Sequence, residues 1–239
     1  MAVTVDIKDL LEAGLHFGHK TSRWHPKMAQ YIHSKRQDSH IIDLTKTVEG
    51  FEKALPFITE TVKGGKQILL VGTKKQAKDL VKAAALESGQ LYVTERWMGG
   101  MLTNVATTSS RIKHLKNLEK KMESGEFANR YSKLEVQRFQ EEIDDLNNKY
   151  SGIKDLNGKP GAVFVTDVIT EANAIKEAKK LGVPVIAIVD TNADPTLIDY
   201  VIPANDDAIK GIKLVLDYVV KAAQEGVAER KLVVGKEEK

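Results

Sequence analysis

The runs at residues 162–165 (AVFV) and 185–189 (VIAIV) are apolar at every position. A strand with one face in water alternates apolar and polar side chains, so strands without alternation have to be covered on both faces. That requirement argues against an antiparallel meander and demands helices above and below a sheet. Residues 67–71 (QILLV) form a similar run ending at Gly72, and shorter β-prone pieces stand at 91–93 and 200–202. Helical patterns separate them. Phe51, Leu55, Ile58 and Val62 mark one helix face, with Thr45 or Thr47 as its cap and Gly64-Gly65 as its end. Ala77, Leu80, Val81 and Ala84 mark a second helix, and Ala174, Ile175, Ala178 and Leu181 a third. Ile209, Ile212, Leu216 and Val219 predict the inward face of the last one. Five strands joined by helices predict a parallel sheet, and right-handed crossovers make it an α/β, flavodoxin-like, doubly wound sheet.

One connection is far longer than a crossover needs. Residues 94–161 lie between the second and third strands, and most of them have helical periodicity. Ile112, Leu115, Leu118 and Met122 form one stripe, Phe139, Ile143, Leu146 and Tyr150 another, with Gly125 between. This predicts an inserted antiparallel helical hairpin of coiled-coil type over 106–150. The α/β domain is then discontinuous, 1–105 with 151–228, and 229–239 reads as a flexible tail.

Charge is segregated rather than abundant. Net charge is only +3, yet residues 13–37 contain no acid, and five of the six histidines lie between His16 and His40. Residues 15–28 (LHFGHKTSRWHPKM) form a basic-aromatic loop that Pro26 keeps from becoming helical, and residues 30–43 form a hairpin whose tip, 34–39, is basic. Cations beside planar rings suit a phosphate backbone and exposed bases; the plainer alternative is a solvated loop. Residues 96–118 are likewise acid-free, whereas acids gather at 141–145 and 190–207. This predicts one face on nucleic acid and an acidic sheet edge turned to solvent or a protein. The chain has no cysteine, which excludes disulfides and thiolate sites and fits a reducing compartment. The opening MAVTVDIKDL lacks the long apolar core of a secretion signal, and no run is long enough to span a membrane.

Several motifs invite sharper chemistry. ILLVGTKK (68–75) is a strand-turn-helix with Lys74 and Lys75 where phosphates bind, but it lacks the second glycine of a phosphate loop. His16 and His19 have a metal-ligand spacing, without a nearby carboxylate before Asp38 to complete a site. Asp167, Asp190, Asn192 and Asp194 follow strands, where α/β enzymes keep catalytic groups; such residues also cap turns and helices, as do Asn205, Asp206 and Asp207. RWMGGMLTN (96–104) opens the insertion, its Arg96 and Trp97 suited either to RNA or to packing at the insertion's root. Three functions remain open on these residues: an RNA-binding protein, an enzyme acting on a phosphorylated metabolite through Lys74 with Asp167 or Asp190, and an adaptor using the helical hairpin.

LHFGHKTSRWHPKM, HIIDLTKTVE (40–49), RWMGGMLTN and VPVIAIVDTNADPTLIDYVIPANDDAI (183–209) together resemble the universal small-subunit ribosomal protein family number two, in its bacterial form. The blocks follow the family's order over roughly residues 5–225. Lys20 replaces a common Gln, His25 a common Asn and Ala204 a common Gly. The resemblance implies a non-enzymatic, cofactor-free and metal-free constituent of the small ribosomal subunit, cytoplasmic and ribosome-bound. It implies binding to small-subunit ribosomal RNA and neighbouring ribosomal proteins, with help in docking the large mRNA-binding one. On this sequence the expected phosphate contacts are Lys20, Arg23, Lys27, Lys35 and Arg36, with Trp24 and His25 stacking or touching sugar. Lys74, Lys75, Arg96, Thr103, Asn104, Arg111 and Lys113 complete the expected RNA surface.

Overall fold

The computed structural model describes residues 4–156 and 158–237. The chain opens with α1 (Ile7–Glu12), whose first turn is capped by the Asp6 carboxylate. Three short strands follow: β1 (Phe17–Lys20), β2 (Ile32–Arg36) and β3 (Ser39–Ile42). They form a small antiparallel sheet in the order β1-β3-β2. The expected hairpin is therefore one strand larger, and its tip shrinks to Gln37 and Asp38, both at positive φ (45° and 61°). Two positive φ angles give the primed turn whose twist matches the flanking strands. Between β1 and β2, Pro26 starts a 3-10 helix, Pro26–Tyr31, rather than preventing one. Proline's fixed φ and missing N–H suit a first helical position.

The larger body begins at α2 (Leu44–Lys63). Its cap is Asp43, which accepts from the Thr45 N–H, and not Thr45 or Thr47; Thr47 instead donates to the Pro203 carbonyl. Then come β4 (Ile68–Val71), α3 (Lys78–Ser88), β5 (Leu91–Val93), α4 (Val105–Glu123), α5 (Glu126–Arg130) and α6 (Lys133–Tyr150). The chain closes with β6 (Ala162–Val165), α7 (Ala172–Lys180), β7 (Val185–Val189), β8 (Tyr200–Pro203) and α8 (Ile209–Glu237). The last five strands to appear form a wholly parallel sheet in the order β5-β4-β6-β7-β8. That is the doubly wound order expected, with its reversal between β4 and β6.

Strand alternation sorts the core into two layers. Ile68, Leu70, Phe164, Ile186 and Ile188 face α2, α3 and α8. Leu69, Val71, Val163, Val165, Val185 and Val189 face α7 and the helical insertion. A helix about 10 Å across covers only about two strands at their ~4.8 Å spacing. On that face α7 packs on β6 and β7, and the turn at Ser151–Ile153 just past α6 packs on β5. Ile112, Leu115, Leu118, Ile143 and Leu146 pack between the insertion helices and continue the same buried cluster. The insertion's turn is itself helical: Phe127 of α5 stacks on Phe139 at 4.3 Å and meets Tyr131 edge-on.

Two expectations are corrected here. Ile209, the first residue of α8, is 58% exposed; Ile212, Leu216 and Val219 are buried as expected. The stretch 229–237, expected as a flexible tail, continues α8, with Lys63 of α2 3.0 Å from Glu229; residues 238 and 239 lie outside the described residues. Ala204, at the position of a common glycine, is buried without positive φ, so its methyl group carries no backbone strain. No helix among the described residues is long and apolar enough to cross a membrane.

Candidate nucleic-acid interface

The parallel strands all end at one edge, and a doubly wound fold places its ligand crevice there, where β4 and β6 diverge. In this chain the crevice is filled by its own residues. Lys74, just past β4, reaches across it, with Nζ 3.3 Å from Asp167 Oδ2, 3.0 Å from Asp206 Oδ1 and 2.6 Å from Asp207 Oδ1. The small antiparallel sheet lies over the same edge. His19 of β1 places Nδ1 3.0 Å from Asp190 Oδ2 and Nε2 3.4 Å from Asp207 Oδ2. Its backbone N–H donates to Thr191 Oγ1, and that of His25 donates to the Thr191 carbonyl. Gly18 is needed for this approach, since a Cβ there would lie 2.6 Å from Thr191 Cγ2.

This arrangement overturns two expectations. Lys74 does not present its charge to an RNA phosphate, and the acidic edge is roofed by the basic N-terminal segment. The electrostatics explain why the roof stays. Asp167, Asp190, Asp206 and Asp207 outnumber Lys74 and His19. Burial pushes the Asp206 carboxyl up to about 7, helped by Asp167 and Asp190 and opposed by Lys74. The hydrogen bond to Asp190 raises the His19 imidazole against the effect of burial. Burial also works against the Lys74 charge, but Asp207, Asp206 and Asp167 outweigh it and hold its pKa above the ordinary lysine value. A lysine so held is neither a nucleophile nor a free phosphate ligand.

The neighbouring acids cap turns, the plainer of their two readings. Asp167 accepts from the Ile169 and Thr170 N–H groups and the Thr170 hydroxyl. Asn205 accepts from the N–H groups of Asp207 and Ala208. Asp194 accepts from Thr196, whose hydroxyl and N–H, followed by Lys27, hold the carboxyl down to about 2. His19, Asp206 and Asp207 bring donor atoms within 4.8 Å of one another, close enough to share a cation, although Lys74 already supplies one. The His16–His19 pair suggested by spacing is not brought together in that group: His16 packs its ring on Phe17 at 4.0 Å, and burial lowers its pKa.

The N-terminal segment also carries open cations, of which Lys20 and Arg23 border the cleft that holds His19, Asp190 and Asp207. Lys20, Arg23, Lys35 and Arg36 are exposed and form no ion pair among the described residues. Trp24 is 39% exposed and is braced from beneath by His40, 5.3 Å away between ring centres. Sequence reasoning did not single out His40, whose ring is shielded with neither nitrogen hydrogen-bonded among the described residues. Lys27 and His25 are less available. Lys27 Nζ is 3.1 Å from Asp194 Oδ2 and bonds Thr196 Oγ1, while His25 Nδ1 accepts from the Lys27 N–H.

A second exposed basic strip follows the 96–104 loop. Arg96, Arg111 and Lys113 are exposed, as is Lys75 in the turn between β4 and α3. Trp97, by contrast, is buried, with its indole N–H 3.0 Å from Glu177 Oε1. The same carboxylate accepts from the Gly100 N–H at 2.7 Å, the Leu102 and Thr103 N–H groups and the Thr103 hydroxyl. Five donors from one loop therefore converge on Glu177 of α7, and against burial they hold its carboxyl below the ordinary value. Thr103 is thereby committed to Glu177, and Asn104 caps α4 by accepting from the Thr107 N–H. Thr103 therefore shapes the loop, whereas Asn104, exposed and capping through Oδ1 alone, keeps its Nδ2 donors outward.

The pattern that defines ribosomal protein S2 matches residues 10–226. The chain belongs to the ribosomal protein S2 family. It is 50% identical over 226 residues to the small ribosomal subunit protein uS2 of Chloroflexus aggregans, covering 95% of this chain and 94% of that one. The protein of the same name from Roseiflexus sp. (strain RS-1) is also 50% identical over 226 residues, covering 95% of this chain and 86% of its own. That of Maridesulfovibrio salexigens is 48% identical over 227 residues, covering 95% and 87%. The family is structural rather than catalytic, in keeping with a crevice occupied by Lys74 and His19.

Proposed function

We propose that the chain is a structural constituent of the small ribosomal subunit that binds small-subunit ribosomal RNA through its N-terminal antiparallel sheet. The observation that carries this reading is that the sheet spends His19 on the acidic edge, while Lys20, Arg23, Lys35 and Arg36 stay exposed and form no ion pair among the described residues. Phosphates take unpaired surface cations, and a braced indole offers a stacking face. Arg96, Arg111, Lys113 and Lys75 supply a second contact. The family membership and the resemblance above support residence on the cytoplasmic ribosome and a share in docking the large mRNA-binding ribosomal protein.

Binding of the purified chain to deproteinised small-subunit RNA across a potassium chloride series tests the mechanism. The four N-terminal cations account for about −3 of the slope of log affinity against log salt. Arg23→Glu with Arg36→Glu is expected to flatten that slope by about 1.4 and to weaken binding at least about tenfold. An unchanged slope in the double variant would remove the N-terminal sheet from the interface.

A further inference from the structure

A cleft of about 510 Å³ opens beside the basic segment and is not used by the contacts described so far. One wall is the Pro26–Tyr31 turn, a second is the first half of α2, and the third is the β7–β8 connection with β8. Its volume is in the range of small-ligand sites. Tyr31 and Tyr200 line it, with Gln30 and three lysines, Lys27, Lys46 and Lys53.

The charges around the cleft are unevenly satisfied. Its two acids are both neutralised: Glu49 by Lys46 at 2.8 Å, and Asp199 by Lys179 at 2.6 Å together with the Val185 N–H. Lys27 is held by Asp194 and Thr196. Lys53 forms no ion pair among the described residues and is the cleft's unspent cation. Phe57 stacks on Tyr200 at 4.4 Å and 18° between planes, and the backbone that carries Tyr31 is tied down by its carbonyl, which accepts from the Asp43 N–H at 2.9 Å. The cleft therefore combines two aromatic rings, an amide able both to donate and to accept, and an ammonium without an ion pair among the described residues.

We propose that this cleft receives one nucleotide splayed out from the bound RNA, with its phosphate on Lys53 and its base against Tyr31. A nucleotide matches the whole set: an anion for Lys53, a planar face for the tyrosine and polar edges for Gln30. An acidic peptide supplies an anion for Lys53 and amides for Gln30, but its carboxylates bring no planar face for Tyr31. Continuity favours RNA as well, because the turn that carries Tyr31 begins two residues after Trp24. The inference rests on the RNA-binding reading and extends it from exposed phosphate contacts to a shaped pocket.

The test uses the full chain, deproteinised small-subunit RNA and, separately, an equimolar mixture of the four nucleoside 5′-monophosphates. Tyr31→Leu and Lys53→Ala are each expected to weaken RNA binding about five- to tenfold, while Tyr31→Phe stays within about twofold. Lys53→Ala also reduces the magnitude of the salt slope by about 0.7, and Lys82→Ala on the exposed side of α3 changes nothing. Ultraviolet irradiation of the wild-type complex is expected to cross-link RNA to a peptide containing Tyr31. Circular dichroism melting screens Tyr31→Leu for folding; Lys53→Ala, a surface change, keeps the test decisive if it fails. Wild-type affinity in Tyr31→Leu and Lys53→Ala overturns the proposal. Monophosphate binding lost in those variants, with RNA binding intact, overturns it in favour of a free nucleotide. Loss of an acidic protein partner alone overturns it in favour of a protein site. If the wild-type chain binds no RNA, the broader reading fails instead, an outcome distinct from these.

Discussion

Glu177→Ala is expected to destabilise the protein by about 3 kcal/mol, one of the two largest effects of any single substitution considered. Charge-assisted hydrogen bonds contribute about 1.5–3 kcal/mol each, but five on one carboxylate are not additive, and water replaces part of what is lost at a half-buried site. The 96–104 loop then loses the acceptor that gathers Trp97, Gly100, Leu102 and Thr103. Urea denaturation measures the cost. Fluorescence in a Trp24→Phe background locates it, since Trp97 is then the sole tryptophan and its emission moves to the red as the loop opens. Glu177→Gln keeps one oxygen acceptor and falls between. A loss below about 1 kcal/mol with unshifted emission contradicts the clamp. The carboxyl's pKa is lowered on folding, so its stabilisation is present above the ordinary value of 4.5 and is lost as pH falls through the lowered one.

Lys74→Met is expected to cost a similar amount, about 3 kcal/mol at pH 8, because removing one partner leaves buried carboxylates uncompensated. The cost should shrink at pH 5.5. Asp206 has its pKa raised to about 7, so at pH 5.5 it carries a proton and needs the cation less. The wild-type protein follows the same sign. Asp206 and His19 both bind protons more tightly in the folded state than in the unfolded one. Their contribution is greatest at low pH. It declines as pH rises, from the ordinary carboxyl value of 3.8 through about 7 for Asp206, and through the raised pKa for His19. Thermal melts of both proteins at the two pH values check this. A penalty independent of pH would show that Lys74 does not balance the carboxylates.

The contrast between these residues and the sheet shows what a sequence can reveal. Residues 162–165 and 185–189 announce buried parallel strands because their environment is written into consecutive side chains. The exposed cations of the N-terminal sheet were legible for the same reason: residues 13–37 lack acids locally. Glu177 carries no such signal. A glutamate on the polar side of an amphipathic helix looks like any solvated one, and its donors lie 74–80 residues away. The strand at Phe17–Lys20 was hidden likewise, since FGHK shows no alternation and Phe17 is its one large apolar residue. It is a strand because it pairs with β3 and docks on Thr191. Lys74 looked like a phosphate ligand from strand-turn-helix position alone, and only the convergence of three loops turns it into an internal counter-ion. Ile209 matched the helical period, but period does not say whether the first residue of a helix is covered.

The central claim is that this chain works as an RNA-bound part of the small ribosomal subunit. Sedimentation of a native lysate through a magnesium-containing gradient, with this chain followed by antibody, tests it most directly. The account predicts that the protein travels with the small subunit and is released both by ribonuclease and by high salt. A chain that stays at the top of the untreated gradient as a free 26.5 kDa species would contradict it.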